Sequence, residues 1–327
     1  MTTSRSRRLA RFLLPALAAL LFAATAAAAA PPLLTPQQLS ARLGAEPPLR
    51  VLDIRAGKDG SGRTPYEVGH VEGSLPAPYP QWRGPQDNPG ALPPHDRLAA
   101  LLQSLGIDAA TPVVIVYEGV DSTDFGSAAR VYWTLKAAGV RELSILNGGM
   151  RAWRAAQLPV SRGSAPQVAR SNYAFTLDPR LLATREEVAQ AQTTKRELLL
   201  DARPLAFFLG ETRHPAARTP GTLVGAKDVD NAVWFAPQSA ALLDAASVQN
   251  IARQQGIDTT QPTISFCNTG HWAATNWFVL SEVLGNPNVK LYPESMVGWS
   301  RAGGAMANVP GRLRQLWLQL RAATGTL

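Results

Sequence analysis

Short runs of aliphatic and β-branched residues alternate along this chain with longer stretches of helical periodicity. Arg50 to Ile54, Val113 to Tyr117 and Leu143 to Leu146 are rich in Val, Leu and Ile with little polar alternation, the pattern of strands buried on both faces. Between the last two, Ala128 to Ala138 reads as a helix that stops at Gly139. Further on, Pro262 to Cys267 reads as another strand and Ala273 to Leu280 as the helix after it. Strand and helix alternation of this kind predicts an α/β fold with an open, mostly parallel sheet and helices on both faces. In such sheets the ligand crevice lies beyond the carboxyl ends of the strands.

The pattern occurs twice. Leu52-Asp53-Ile54-Arg55 recurs as Leu200-Asp201-Ala202-Arg203, 148 residues later, and at that offset Gly69 to Ser74 aligns with Ala217 to Thr222. Pro112 to Tyr117 aligns with Pro262 to Cys267 at an offset of 150, and Gly139, Met150 and Trp153 align with Gly285, Met296 and Trp299 at 146. Loops that absorb small insertions explain the drift. Two copies of one domain are predicted, at 31–162 and 181–327, joined by a linker over 163–180. The tryptophans at 133, 153, 277, 299 and 317 fall on helical stretches and are read as core.

The first thirty residues change the picture. Arg5, Arg7, Arg8 and Arg11 precede an apolar run from Phe12 to Phe22 and an alanine tract from Ala23 to Ala30. This is the layout of a secretory signal peptide over 1–30, too short for a membrane span of about 18–20 residues. Export to the periplasm or medium is therefore expected, with no membrane contact after cleavage. The formal net charge is +8. Four of those charges lie in the leader, so the remainder is only mildly basic. No basic tract points to nucleic acid, and mild positive charge suits a small anionic substrate.

Cys267 is the only cysteine in 327 residues. An exported protein usually pairs its cysteines, and an unpaired thiol there is a liability unless something uses it. The chain continues Asn268-Thr269-Gly270-His271-Trp272 before the helix, so the thiol closes a strand and a glycine-containing turn leads straight into a helix. Such a turn gathers backbone N–H donors around one sulfur, an environment that favours a nucleophilic thiolate. The competing reading is a buried structural cysteine. His271 is a candidate for tuning the thiolate or holding substrate, against plain loop packing. Trp272 shapes the pocket mouth or, more in keeping with an aromatic at a helix start, simply packs. Four scattered histidines and one cysteine make no zinc pattern, so no metal or other cofactor is expected.

Taken together, Leu-Asp-x-Arg opening each half, Gly69-His70-Val71-Glu72-Gly73-Ser74, the strand ending in Cys267, and Asn147-Gly148-Gly149-Met150-Arg151-Ala152-Trp153 resemble the tandem-domain rhodaneses, the thiosulfate and mercaptopyruvate sulfurtransferases. The resemblance spans essentially all of the chain after the leader. It implies a non-catalytic first domain, where Tyr117 stands in place of Cys267, and a catalytic second one. It also implies a double displacement in which Cys267 takes sulfane sulfur from thiosulfate or mercaptopyruvate as a persulfide and passes it to cyanide, a thiol or a protein acceptor. The loop Asn268 to Trp272 would stabilise the charged sulfur.

Two departures bear on the donor. The loop lacks the basic residue that many thiosulfate-preferring members place after the cysteine, and the Gly-Ser-Gly-Val-Thr of mercaptopyruvate-preferring ones. In the second domain's Asp-x-Arg-x-x-x-Arg pattern, Phe207 occupies the second arginine position. Besides His271, the candidates for anion binding are Arg218, Arg213 and His214. Asp201 with Arg203 recurs in the inactive half as Asp53 with Arg55, and His70 lies in that half, so these are read as scaffold. A phosphatase would need Cys-x-x-x-x-x-Arg, and the seventh position here is Ala273. A thioredoxin-like oxidoreductase would need a second cysteine. The remaining rival is a non-catalytic sulfane-sulfur carrier or anion-binding protein that acts with a partner.

Overall fold

The computed structural model describes residues 30–46, 48–311 and 314. The predicted signal segment, but for Ala30, and Trp317 lie outside the described residues. The first half contains strands β1 (Leu33–Leu34), β2 (Arg50–Asp53), β3 (Leu75–Pro76), β4 (Val113–Val116) and β5 (Leu143–Leu146), with helices α1 (Pro36–Arg42), α2 (Pro65–Val68), α3 (His95–Ser104), α4 (Ser122–Ala137) and α5 (Gly149–Ala155). The second half contains β6 (Leu198–Asp201), β7 (Thr222–Leu223), β8 (Lys227–Asp228), β9 (Thr263–Phe266), β10 (Val289–Leu291) and β11 (Met306–Ala307). Its helices are α6 (Arg185–Thr194), α7 (Leu205–Phe208), α8 (Ala245–Gln254), α9 (Trp272–Phe278) and α10 (Ser295–Arg301). The stretch 163–180 forms neither helix nor strand.

Each half is an open parallel sheet, in the order β1-β5-β4-β2-β3 and β10-β9-β6-β8, and β7 with β11 adds a small antiparallel ladder. Strand alternation splits each core in two. Val114 and Val116 pack with Leu39, Met150 and Trp153 on one face of the first sheet, and Ile264 and Phe266 pack with Val188, Met296 and Trp299 on the matching face of the second. The other two faces share one apolar cluster, running from Ile115 and Phe125 through Trp277 and Phe278 to Leu291. Helices α4 and α9 are the contact. The halves are therefore joined by a continuous core rather than by a thin, wet interface.

Local signals repeat with the fold. Thr35 with Gln38 caps α1, and Thr184 with Glu187 caps α6, by the same reciprocal box. The predicted helix 128–138 begins six residues earlier, at Ser122, because the Asp121 carboxylate accepts the Asp124 N–H and starts a polar first turn that carries no apolar signal. The Asp-x-Arg pairs are buried and bidentate in both halves: Arg55 to Asp53 at 2.9 and 2.6 Å, and Arg203 to Asp201 at 2.8 and 2.6 Å. His70 stacks on Tyr66 and meets the Tyr66 carbonyl at 2.8 Å, a scaffold role.

One alignment made from the sequence is corrected. Arg55 Nη2 donates to the Gly69 carbonyl, and its counterpart Arg203 Nη2 donates to the Gly221 carbonyl. Likewise Leu52 pairs with Leu75, while Leu200 pairs with Lys227. Gly69 to Ser74 therefore answers Gly221 to Ala226, four residues later than the sequence match to 217–222. Gly73 and Gly225, both left-handed, mark the same turn. The extra four residues sit in the loop before Gly221, which carries Arg213, His214 and Arg218.

Candidate functional site

Strand β9 lies in the middle of the second sheet between β10 and β6, so the chain leaving it at Phe266 emerges at the carboxyl edge beside Asp201 to Arg203. Cys267 follows at once. The residue is 1 % exposed. The loop is pinned from below by Ser295, whose hydroxyl accepts the N–H groups of Cys267 (3.0 Å) and Gly270 (3.1 Å) and donates to the Tyr292 carbonyl (2.8 Å). Met296 and Val297 donate their N–H groups to the carbonyls of Cys267 and Asn268, each at 3.0 Å, which ties the loop to α10. Asn268 Oδ1 also accepts from Arg203 Nη1 at 3.3 Å.

These bonds refine the expected role of the loop. The Gly270 N–H is taken by Ser295 and is not free to face an anion. The N–H groups of Asn268, Thr269, His271 and Trp272 have no partner among the described residues. Gly270 itself is required: its φ is +65°, and a Cβ there would strike the Arg130 guanidinium and the Pro293 carbonyl.

The first half supplies the opposite wall. Helix α4 approaches closely at Gly126, where an added Cβ would stand 3.0 Å from the His271 ring. A chain of hydrogen bonds crosses between the halves. Arg83 Nη1 donates to the Tyr79 hydroxyl (2.9 Å), that hydroxyl meets His271 Nδ1 (2.8 Å), and His271 Nε2 meets the Thr123 carbonyl (2.6 Å). The Thr123 carbonyl requires a proton on Nε2, and in the neutral ring Nδ1 then accepts from the Tyr79 hydroxyl. Arg83 Nη2 donates to the Thr269 carbonyl at 2.9 Å. Trp272 Nε1 donates to the Thr123 hydroxyl at 3.1 Å, and its ring meets Phe207 edge to face.

Burial, reinforced by the Arg83 cation and further by Arg130, pushes His271 down to about 4. The imidazole is therefore not a cation that could bind a donor anion. The unfolded chain binds this proton near pH 6.5, so the contribution of neutral His271 to stability is complete above that pH and is lost as pH falls towards 4. Asp228, pushed up to about 6 chiefly by burial and then by Asp201, acts in the opposite sense. The comparison with a non-titrating variant isolates the histidine. Between pH 7 and 4 the parent is expected to lose about 3 kcal/mol more than His271→Gln, by urea unfolding at each pH. Parallel curves would show that the ring protonates without cost.

The other candidate residues lie apart from the sulfur loop or beside it. Arg213 folds its guanidinium back on its own turn, onto the carbonyl of Ala217 at 2.6 Å. Arg218 is exposed, and among the described residues only its backbone N–H has a partner, the Ser300 hydroxyl. His214 is half-buried and lowered by burial and by the Arg83 cation, which places it on the Arg83 side of the cleft. Phe207 lies under the Arg203 guanidinium and against Trp272, as an aromatic wall where the resemblance expects an arginine.

Tyr79, Arg83, Thr123, Arg130 and Ser295 were not legible as site residues. Four of them come from the other half, and contacts between halves leave no trace in local spacing. Arg130 alone gave a signal, as a charge between Ala129 and Val131 in an apolar helix. At the equivalent place in the first half, Tyr117 is buried and its hydroxyl accepts the Gly148 N–H at 3.1 Å, so an aromatic ring fills the space where the second half has its thiol.

The rhodanese-like domain matches this chain twice, over residues 35–156 and 184–302. Rat thiosulfate sulfurtransferase is 31% identical over 263 residues, covering 78% of this chain and 86% of the relative. Rat 3-mercaptopyruvate sulfurtransferase is 29% identical over 265 residues with the same coverage. Among solved structures, the 3-mercaptopyruvate sulfotransferase SseA of Escherichia coli superposes with a TM-score of 0.69 at 24% identity, over 81% of this chain and 98% of that one. That likeness carries the fold.

Proposed function

The chain belongs to the family of rhodanese-like domains, in both its halves, and on that premise we propose that it is a sulfurtransferase whose sulfur is carried by Cys267. The observation that carries the reading is the position of the only thiol. It stands at the carboxyl end of the central strand of one domain, on a loop with free N–H donors, while the duplicate domain has Tyr117 there. Names given to relatives support both thiosulfate and 3-mercaptopyruvate as donors.

The chemistry balances without a cofactor. The Cys267 thiolate attacks the outer sulfur of thiosulfate, a Cys–S bond forms, and the S–S bond of the donor breaks with its electron pair leaving on sulfite. With 3-mercaptopyruvate the C–S bond breaks instead, and pyruvate leaves as its enolate and takes up a proton. Cyanide or a thiolate then attacks the terminal sulfur, and the Cys267–S electron pair returns to the thiolate. Loop N–H groups that donate to a charged sulfur at no reorganisation cost favour both transfers. The leader composition supports export of the protein, which a mature N-terminus within Ala26 to Ala30 would test.

The test is intact mass of the purified protein before and after donor, then after cyanide. A gain of one sulfur atom that cyanide removes is the expected result, and the donor that loads it is the substrate. Loading once with no turnover of small acceptors would turn the reading to a partner-dependent sulfur carrier. No gain with either donor overturns it.

A further inference from the structure

Arg130 is the ninth residue of α4 and has no exposed surface. Its Nη1 donates to the Gly270 carbonyl (3.1 Å) and its Nη2 to those of Gly90 (2.8 Å) and Ala91 (3.4 Å), with the guanidinium over the Trp133 ring. Its Nε has no hydrogen-bond partner among the described residues. Among the described residues no carboxylate pairs with it, nor with Arg83. Carbonyls satisfy donors without cancelling charge, and a buried cation is expensive unless an anion answers it. The groups that favour the charged form of Arg130 electrostatically are Tyr79 and Cys267, while Arg83 and burial oppose it, bringing the guanidinium down to about 9 and leaving it charged at neutral pH.

The fold does not need cations here. Counting from the helix starts, Arg130 in α4 corresponds to Leu280 beyond α9. Arg83, which follows the 3-10 turn Tyr79–Trp82, corresponds to Phe235 after the turn Asn231–Trp234. Leu280 and Phe235 are both buried in the shared core. The same scaffold positions are apolar around the tyrosine-filled half and basic around the half with the thiol.

We propose that Arg83 and Arg130 of the first domain form the anion site of the second, with Arg130 balancing the charge on the Cys267 sulfur and Arg83 gripping the oxyanion end of the donor. The shared ligand chemistry is a sulfonate or carboxylate next to a transferable sulfur. This rests on Cys267 being the sulfur carrier, and it supplies the cation that Phe207 does not. Arg83 is suited to contact because it is only half-buried and bonds the Thr269 carbonyl on the loop itself. Arg130 is a positioning residue, acting through the sulfur's charge. The other charged or titratable groups facing the loop are Tyr79, His271, the Asp121 carboxylate, which acts on His271, and the Arg203–Asp201 pair, with His214 beside Arg83.

Two measurements on the full chain test it. In Arg83→Gln, the KM for the true donor is expected to rise about 10- to 100-fold with a smaller change in kcat, and Arg83→Lys is expected to recover part of it. Running thiosulfate and 3-mercaptopyruvate side by side shows whether the site reads a sulfonate or a carboxylate. In Arg130→Met, the pH midpoint for iodoacetamide alkylation of Cys267 is expected to move up by about one unit, with Arg130→Lys close to the parent. Unchanged KM for both donors in Arg83→Gln overturns the donor site even if Arg130→Met fails to fold. An unaltered midpoint in Arg130→Met, or in Arg130→Gln where the methionine variant fails to fold, overturns the charge coupling, and together with an unaltered KM in Arg83→Gln it overturns the whole. A parent that takes up no sulfur would instead count against Cys267 as carrier, whereas alkylation still reports the charge coupling.

Discussion

Cys267→Ser is expected to abolish sulfur transfer, with a loss of at least about 10³-fold and no gain of mass after either donor. A hydroxyl is a far weaker nucleophile than a thiolate and leaves poorly from sulfur, and loss of a covalent nucleophile removes the whole pathway rather than a share of it. The serine fits. The side chain is buried in a loop fixed by Ser295, Met296 and Val297, and these bonds run to backbone atoms that the substitution leaves in place. Folding should be preserved, so circular dichroism and the unfolding midpoint serve as the control. No second thiol exists to substitute. Turnover near the parental rate in this variant would remove the persulfide mechanism altogether.

Phe125→Ala is expected to destabilise the whole molecule by about 3–5 kcal/mol, the cost of a large buried aromatic replaced by a cavity. Phe125 has no exposed surface, and its ring meets Tyr117 of its own half and Phe235 and Phe278 of the other, at centroid distances of 5.7, 5.2 and 5.6 Å. The neighbouring contact between Lys136 and Glu282, at 2.7 Å with Tyr132 on the same carboxylate, ties α4 further to the second half. Because one apolar cluster spans both sheets, urea unfolding followed by tryptophan fluorescence should show one transition, moved bodily to lower urea. Two transitions in the parent, or a loss under about 1 kcal/mol in the variant, would mean that the halves are stable separately.

Much of this was written locally and could be read. Buried strands such as Val113 to Val116 announce themselves, and duplication reinforced each weak signal with a second copy. The thiol was unmistakable because it is alone and closes such a strand. The reading failed where the chemistry is not local. The match of Gly69 to Ser74 falls four residues early because Gly73 and Gly221 look alike, and the hydrogen bonds to Arg55 and Arg203, with the strand register, distinguish the turns. The sequence points to basic residues within the same half as Cys267, on the loop of Arg213 and Arg218. The structure instead brings Arg83 and Arg130 there across the packing of α4 on α9. His271 invited a charged role, yet its ring is committed on both nitrogens to Tyr79 and Thr123.

The solitary thiol has a consequence for timing. Many sulfur-handling and redox proteins keep a second cysteine within reach, so that a loaded sulfur can be expelled internally as the chain closes a disulfide. No such exit exists in this chain. Once charged, the sulfur is a stored equivalent that only an outside nucleophile can collect, and the walls that bury Cys267 also shield it from casual reductants. The loaded state therefore behaves as a latch, and its lifetime is set by the arrival of the acceptor.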